Sequence, residues 1–208
     1  MITLHHTPVY LDIETLPARE ADPRWRRRAG VLDDETEERR IATSLDPMYG
    51  RIACVGVAVA DGPVCVLGID GQTVIPEDIT LRSLADLLCG VDAPRLITWR
   101  GHSFDLPFIQ TRLMLHAMPT MGWLMGAPGQ ARPGVDLAEI WPATHRRVAQ
   151  WEACAHLGIP LQDGIMGAGV HRAYIEGRVS EISEHCAADV GQLRALAARM
   201  VVRVPCRV

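Results

Sequence analysis

The chain has 208 residues, of which 48% are hydrophobic and 22% charged, and its formal net charge is −4. This length and hydrophobic content suit a single folded domain and leave little room for two. The negative charge argues against unselective electrostatic binding of nucleic acid, although carboxylates that bind cations would count less toward it. All 21 basic residues are arginine. Arginine favours bidentate phosphate contacts, but genomic base composition explains the absence of lysine more simply.

The cysteines and the apolar runs indicate the compartment. The six cysteines are scattered without a C-x-x-C pair, and most lie in apolar runs, which is typical of buried thiols in a reducing compartment. No apolar stretch approaches the ~20 residues of a membrane span. The first residues also lack a charged region followed by an apolar one. The sequence therefore predicts a cytoplasmic protein with no membrane partner.

The first predicted strand carries two carboxylates on one face. Residues 9–15 read V-Y-L-D-I-E-T, and alternation in an extended chain sends the aliphatic side chains one way and Tyr10, Asp12 and Glu14 the other. Two acids about 7 Å apart repel each other unless a cation lies between them, and Mg²⁺ prefers such oxygen ligands. The pair therefore indicates a metal site. A short D-x-E motif is also common at a solvated strand end.

A polar connection, residues 16–50, follows this strand. A structureless connection of that length is uncommon in a compact domain, so we expect a short helix at about residues 34–42 and a functional flap. A solvated excursion is the alternative interpretation.

The next segments predict an α/β sheet. Residues 51–60 and 63–69 are β-rich runs joined by a D-G dipeptide, which is a hairpin signal. Leucines at helical spacing predict a helix over residues 80–88, and residues 95–99 return as a strand. A strand, helix, strand order indicates a parallel partner, and strands that are apolar on both faces indicate a sheet covered by helices.

A further acid follows the last of these strands. In the run G-H-S-F-D-L-P-F, residues 101–108, Ser103 or Asp105 could cap the helix that begins there. Capping is the plain interpretation of Asp105 taken alone. Asp136 and Asp163, further along the chain, are predicted to be turn and cap residues.

Two more helices are predicted toward the C-terminal end, the first over about residues 148–157. The second covers residues 180–200, where apolar residues recur at steps of three and four and form the face of an amphipathic helix docked on the sheet. His185 and Asp189 lie four residues apart on a neighbouring stripe and point the same way. Such a pair taken alone is more often a surface contact.

Taken together, these motifs resemble the DEDD superfamily of 3′-5′ exonucleases. The motifs are D-x-E on the first strand, F-D at a helix start after a later strand, and H-x-x-x-D on the last helix, in an order much rarer by chance than any of them alone. The chain is most similar to the predicted exonuclease family related to the proofreading domain of family B DNA polymerases. The resemblance is carried by residues 10–15, 44–47, 50–52, 104–107, 163–164, 176–178 and 185–190. It implies one exonuclease domain over residues 1–208, with a ribonuclease H-like fold in which helices cover both faces of a mixed α/β sheet.

The resemblance also implies four metal-site acids, namely Asp12, Glu14, Asp105 and Asp189, and two divalent cations, Mg²⁺ or Mn²⁺. Two cations about 4 Å apart can activate water, relieve charge on the phosphate and stabilise the leaving oxygen. Relatives usually carry tyrosine four residues before the last acid, where this chain has His185. We expect this residue to act as the base, because imidazole titrates near about pH 6.5 and phenol near about pH 10.

The activity implied is metal-dependent 3′-5′ exonuclease cleavage at the ends of single-stranded nucleic acid, with DNA favoured over RNA. Arg26, Arg27 and Arg28 are expected to hold the substrate strand, since their connection leaves the sheet directly after the acidic strand. Relatives commonly have asparagine at Arg100, so the substrate contact there is expected to differ. The alternatives are a short-oligonucleotide exoribonuclease and a catalytically silent nucleic-acid-binding module. The presence of all four acids argues against the silent module.

Overall fold

The computed structural model describes residues 6–22, 24–25, 37–119, 134–142, 147–162 and 164–200. The main sheet consists of β1 (Thr7–Leu16), β2 (Arg51–Val59), β3 (Cys65–Leu67), β6 (Pro94–Thr98) and β7 (Gly134–Asp136). After β3, the chain forms a separate two-stranded hairpin of β4 (Ile69–Asp70) and β5 (Thr73–Val74). The strand order in the main sheet is β3-β2-β1-β6-β7. The sequence did not predict β7 or the small hairpin.

The α-helices bounded within the described residues are α1 (Glu37–Ala42), α2 (Glu77–Cys89), α3 (Asp105–Leu115), α4 (Leu137–Ile140), α5 (Gln150–His156), α6 (Val170–Ile175) and α7 (Val179–Arg199), and Thr43–Leu45 and Gly167–Gly169 form short 3-10 helices. Helices α2, α3, α5 and α7 confirm the helices predicted over residues 80–88, after the F-D run, over about residues 148–157 and over residues 180–200. Helix α1 confirms the later part of the helix predicted over residues 34–42, whose first residues lie outside the described ones. None of the described helices combines the length and the apolar content that crossing a bilayer requires.

Strand β1 is the centre of the sheet. It pairs antiparallel with β2 and parallel with β6, and β2 pairs antiparallel with β3 as the D-G dipeptide predicts. The parallel pairing stops at Tyr10 and Ile97, whereas β1 continues to Leu16. The second half of β1, which carries the acids, therefore has one edge that no described strand covers.

Apolar side chains cover both faces of the sheet. On one face, Val9, Leu11 and Ile13 of β1 pack with buried residues of α2 and α3. On the other face, Tyr10 packs with buried residues of α5 and α7, and a further cluster joins α6 and α7 to β2. The predicted alternation along β1 and the predicted helical cover on both faces are therefore confirmed.

Helix α7 lies very close to strand β2 at Gly56. A Cβ atom at this position would lie 2.7 Å from Cγ2 of Val190 and 2.9 Å from Sγ of Cys186. Gly56 is also the residue that pairs with Asp12 in the ladder of β1 and β2. The missing side chain thus sets the distance between α7 and the acidic strand.

We expect Gly56→Ala to destabilise the protein by about 1–3 kcal/mol, because the added methyl must push α7 away or force its neighbours off their rotamers. Gly191→Ala is the matched control, since Gly191 lies on α7 and a Cβ there meets nothing within 4 Å. It should be neutral or stabilise by up to about 1 kcal/mol. Urea denaturation of the three proteins measures both effects. Equal stability of Gly56→Ala and the parent would contradict the close approach.

Candidate metal centre

Asp12 and Glu14 of β1 line a cleft of about 350 Å³ that is also bordered by α3, α5 and α7. Glu14 is buried and Asp12 is partly buried. In the ladder with β2, Asp12 pairs with Gly56 and Glu14 with Cys54. Both carboxylates lie on the same side of the strand, as the alternation of the sequence predicts.

Asp105 enters the cleft as the first residue of α3. Its Oδ1 accepts a hydrogen bond of 3.1 Å from the backbone N–H of Ile13, on the edge of β1 that β6 no longer covers. The helix cap predicted at Ser103 or Asp105 is wrong. The Ser103 hydroxyl donates to the Arg100 carbonyl, and the residue before the helix, Phe104, makes no side-chain cap. The carboxylate instead satisfies a backbone donor of the acidic strand.

Helix α7 supplies His185 and Asp189, one turn apart as predicted. Nε2 of His185 lies 3.4 Å from Oε1 of Glu14 and 3.7 Å from Oδ2 of Asp189. The imidazole thus faces the acids, and the fully buried side chains of Cys186 and Val190 face the core. Glu14, His185 and Asp189 each offer one ligand atom within 4.8 Å of the other two. These three residues form a group that could hold a metal ion.

Burial raises the pKa values of all four acids, and repulsion from neighbouring site acids raises those of Asp12 and Glu14 further. Burial raises the pKa of Asp12 well above its ordinary value, and the three neighbouring carboxylates raise it further. Burial also raises the pKa of Glu14 well above its ordinary value. It raises the pKa of Asp105 to about 7, although the hydrogen bonds that this carboxylate accepts lower the pKa. Burial also raises the pKa of Asp189, while His185 lowers it. Such a set of oxygen donors fits a hard divalent cation, which would remove the repulsion.

The cleft brings together all five residues that the sequence predicts as catalytic, namely Asp12, Glu14, Asp105, His185 and Asp189. The predicted substrate-binding residues Arg26, Arg27 and Arg28 lie outside the described residues, as does Asp163. Their predicted roles stay predictions.

Trp151 and Met166 are among the residues lining the cleft that sequence reasoning missed. Both side chains are about half exposed, and both also line an adjoining cleft of about 490 Å³ beside His185 and Asp189. A tryptophan in a short helix carries no positional signal in the sequence. Only the packing of the helix decides which of its faces meets the cleft.

A second group of possible ligands, His102, Asp136 and Glu139, lies near the start of α4. Oδ1 of Asp136 accepts hydrogen bonds from the N–H groups of Arg100 and Ala138, and Oδ2 accepts one from His102 N–H. The predicted turn and cap role of Asp136 is therefore confirmed. Because both of its oxygens serve backbone donors, the cleft beside β1 is the better candidate for a metal ion.

Comparison with known proteins identifies the family. A family model described as a predicted 3′-5′ exonuclease related to the exonuclease domain of PolB matches residues 47–201, which is more than half of the chain. The chain belongs to this family. The range matched by this exonuclease family contains Asp105, His185 and Asp189 and begins after the two acids of β1. The structure, rather than the family match, brings those two acids to the other three residues.

The same fold occurs in the family B DNA polymerase from the hyperthermophilic archaeon Pyrobaculum calidifontis. The similarity covers 95% of this chain with a TM-score of 0.66 and 17% sequence identity. The chain spans 25% of the length of that polymerase. At this identity the similarity shows the fold alone, and it confirms the predicted ribonuclease H-like α/β architecture. A search of the curated proteins found no match.

We expect the metal-free protein to lose stability as the pH rises from about 4 to about 7. Because their pKa values are raised, the folded carboxyls keep protons that the unfolded chain has already released near about pH 4, and Asp105 does so up to about 7. Deprotonation across this range therefore favours unfolding. Added Mg²⁺ or Mn²⁺ should restore the stability. Thermal melts in EDTA and in each metal, at about pH 5 and about pH 8, measure both effects.

Asp12→Asn should raise the melting temperature of the metal-free protein at neutral pH by about 4 °C or more, because it removes one of the repelling charges. Asp92→Asn, at an exposed position, is the control and should leave the melting temperature unchanged. If Asp12→Asn melts well below the parent, the residue is structural and the carboxylates do not repel one another as described.

Proposed function

We propose that the protein is a metal-dependent 3′-5′ exonuclease that hydrolyses phosphodiester bonds at the 3′ end of single-stranded nucleic acid, with DNA favoured over RNA. The observation that carries this proposal is the shared cleft, in which Glu14, His185 and Asp189 lie with the two remaining acids. Membership of a family of predicted exonucleases supports it. We also propose that residues 1–208 form one exonuclease domain.

The proposed cofactors are two divalent cations, Mg²⁺ or Mn²⁺, held by Asp12, Glu14, Asp105 and Asp189. When bound, they would supply water activation and charge neutralisation at the phosphate. Asp12 would be one of the residues that hold them, since the charges of the three other acids all act on it. Glu14 and Asp189 would contribute ligand oxygens beside His185, and Asp105 would contribute one from the start of α3.

His185 is the proposed base. Its Nε2 faces the acids, 3.4 Å from Glu14 and 3.7 Å from Asp189, so a water held among the acids would lie within reach of this nitrogen and could give it a proton. The two carboxylates would stabilise the imidazolium that forms. The same nitrogen could instead bind a cation. These two roles lead to different results on substitution.

The adjoining cleft supports a single-stranded substrate. Trp151, Leu161 and Met166 line it with half-exposed side chains beside the acids. An unpaired base can stack on the indole of Trp151 and contact the two aliphatic side chains, whereas the bases inside a duplex present no free face. We propose that the terminal base lies here. The arginines at positions 26–28 remain the proposed contacts of the strand at the exit from β1.

Single-stranded DNA labelled at its 5′ end should be shortened from the 3′ end in Mn²⁺ or Mg²⁺ and stay intact in EDTA. Asp12→Ala, Glu14→Ala and Asp189→Ala should each lower the rate by about 10²–10³-fold or more, because each removes a ligand from the site. Asp92→Ala, at an exposed carboxylate, should cleave at the parent rate. Product ladders on a denaturing gel show both the rate and the polarity.

Three other patterns of cleavage products would change or contradict this proposal. Cleavage in EDTA, or products shortened from the 5′ end, would contradict it. The same assay on RNA tests the preference for DNA, and activity confined to very short RNA would identify an oligoribonuclease. Binding of the strand without cleavage in any metal would identify a silent binding module.

His185→Ala should lower kcat by about 10²-fold, the usual contribution of a general base, and should leave the Mn²⁺ concentration needed for half-maximal thermal stabilisation unchanged. His185→Tyr should retain part of the activity with an altered pH profile. His156→Ala, at an exposed histidine of α5, serves as the control. If excess Mn²⁺ restores the rate of His185→Ala and its metal affinity has fallen, the imidazole is a metal ligand and not the base.

A further inference from the structure

Arg100 lies between two clefts. Among the described residues, it is the one arginine that lines the acidic cleft. It also lines a second cleft of about 330 Å³, which contains Arg147. Trp99 borders both clefts, so the two adjoin. Arg100 is thus placed where a strand leaving the acids would enter the second cleft.

The side chain of Arg100 keeps most of its donors for a ligand. One Nη donates to the carbonyl of Val148 at 2.8 Å, and the backbone N–H donates to Asp136 at 2.7 Å. In the described part of the chain the guanidinium forms no ion pair, although it shares a cleft with several carboxylates. A guanidinium has five N–H donors in a fork that matches phosphate. Among the described residues the guanidinium has no other acceptor than Val148, so the side chain is oriented at one end and its remaining donors can bind phosphate.

The backbone of Arg100 points to a role for this side chain. Its φ is 61°, in the left-handed region that costs a long side chain about 1–2 kcal/mol. Glycine or asparagine would occupy this position with less strain. Arginine is therefore not the residue that this backbone conformation favours.

The charges around the three adjoining clefts indicate the direction in which the substrate strand runs. The cleft of about 490 Å³ beside His185 is bordered by Glu181 and Glu184 and by no arginine of the described residues, so it disfavours phosphates. Its exposed Trp151 suits a base. The cleft beyond Arg100 contains a second arginine, Arg147. One of its two acids, Asp136, is occupied by backbone N–H groups.

We propose that Arg100 and Arg147 bind successive phosphates of the substrate strand on the 5′ side of the scissile bond. This inference rests on the proposed exonuclease function and names the path of the strand. The terminal nucleotide lies beside the acids, Arg100 binds the next phosphate, and Arg147 binds the one after it.

Neutral linkages in the oligonucleotide test the two contacts one at a time. The probes are a short labelled oligothymidylate and two copies with a methylphosphonate at the first or the second linkage on the 5′ side of the scissile one. Fluorescence anisotropy measures binding in Ca²⁺, an ion that takes the same oxygen ligands, and a gel checks that the probe stays intact. The proteins are the parent, Arg100→Ala, Arg147→Ala and the control Arg82→Ala, whose arginine pairs with Asp78 on α2.

Arg100→Ala should weaken binding of the charged probe about tenfold or more, as expected for the loss of a charge-assisted contact. It should have little further effect on the probe that is neutral at the first linkage, because the two changes remove the same interaction. Arg147→Ala should show this pattern at the second linkage. Each substitution should also lower the salt dependence of binding by about 0.7 in the log–log slope. Arg82→Ala should bind every probe like the parent.

Arg100→Asn separates a substrate contact from a structural role. Asparagine tolerates the left-handed backbone, so this variant should melt at or above the parent temperature while it binds as weakly as Arg100→Ala. If Arg100 only supported the loop through Val148, the melting temperature would fall, and affinity for the charged and neutral probes would fall alike. That result would overturn the inference.

The inference and the proposed function can fail separately. A parent that shortens the strand, together with an Arg100→Ala that binds all probes like Arg82→Ala, overturns the phosphate contact and leaves the exonuclease intact. A parent that neither binds nor cleaves the strand overturns the proposed function and the inference with it.

Discussion

Repulsion among carboxylates that are buried or partly buried in one cleft is the constraint on which the rest of the structure depends. Acids from β1, α3 and α7 share one cleft, and burial together with mutual repulsion raises the pKa values of Asp12 and Glu14 well above their ordinary values. The fold resists this repulsion with apolar packing on both faces of β1 and with the close approach of α7 at Gly56. A cation in the cleft would replace repulsion with attraction, so metal binding and stability should be coupled.

Two aspartates outside β1 shape the cleft by binding backbone donors. Asp105 accepts the N–H of Ile13 and joins the start of α3 to the acidic strand. Asp136, the last residue of β7, accepts the N–H groups of Arg100 and His102 and holds the turn before α3. The hydrogen bond between Asp105 and Ile13 forms on the edge of β1 that β6 leaves uncovered. The sequence suggests a helix cap for both aspartates. In the structure, Asp105 itself becomes an acid of the candidate site, and Asp136 positions Arg100 beside it.

Much of the fold could be predicted because it depends on local periodicity. Alternation over residues 9–15 places Asp12 and Glu14 on one face, and the D-G dipeptide predicts the hairpin of β2 and β3. Steps of three and four predict α7 and place His185 and Asp189 on one stripe. Strand β7 was not predicted, because three residues with one buried side chain are too short for alternation to appear.

By itself, the sequence determined which residues share a face of one strand or one helix, since those relations follow from the geometry of a single element. Only the tertiary structure decided that the Nε2 atom of His185 lies near both Glu14 and Asp189. It also decided that Asp105 binds the backbone of β1 instead of capping its own helix, and that Arg100 lies at the junction of two clefts. These contacts join residues far apart in the chain, and they depend on how the elements pack, which the period of each element does not specify.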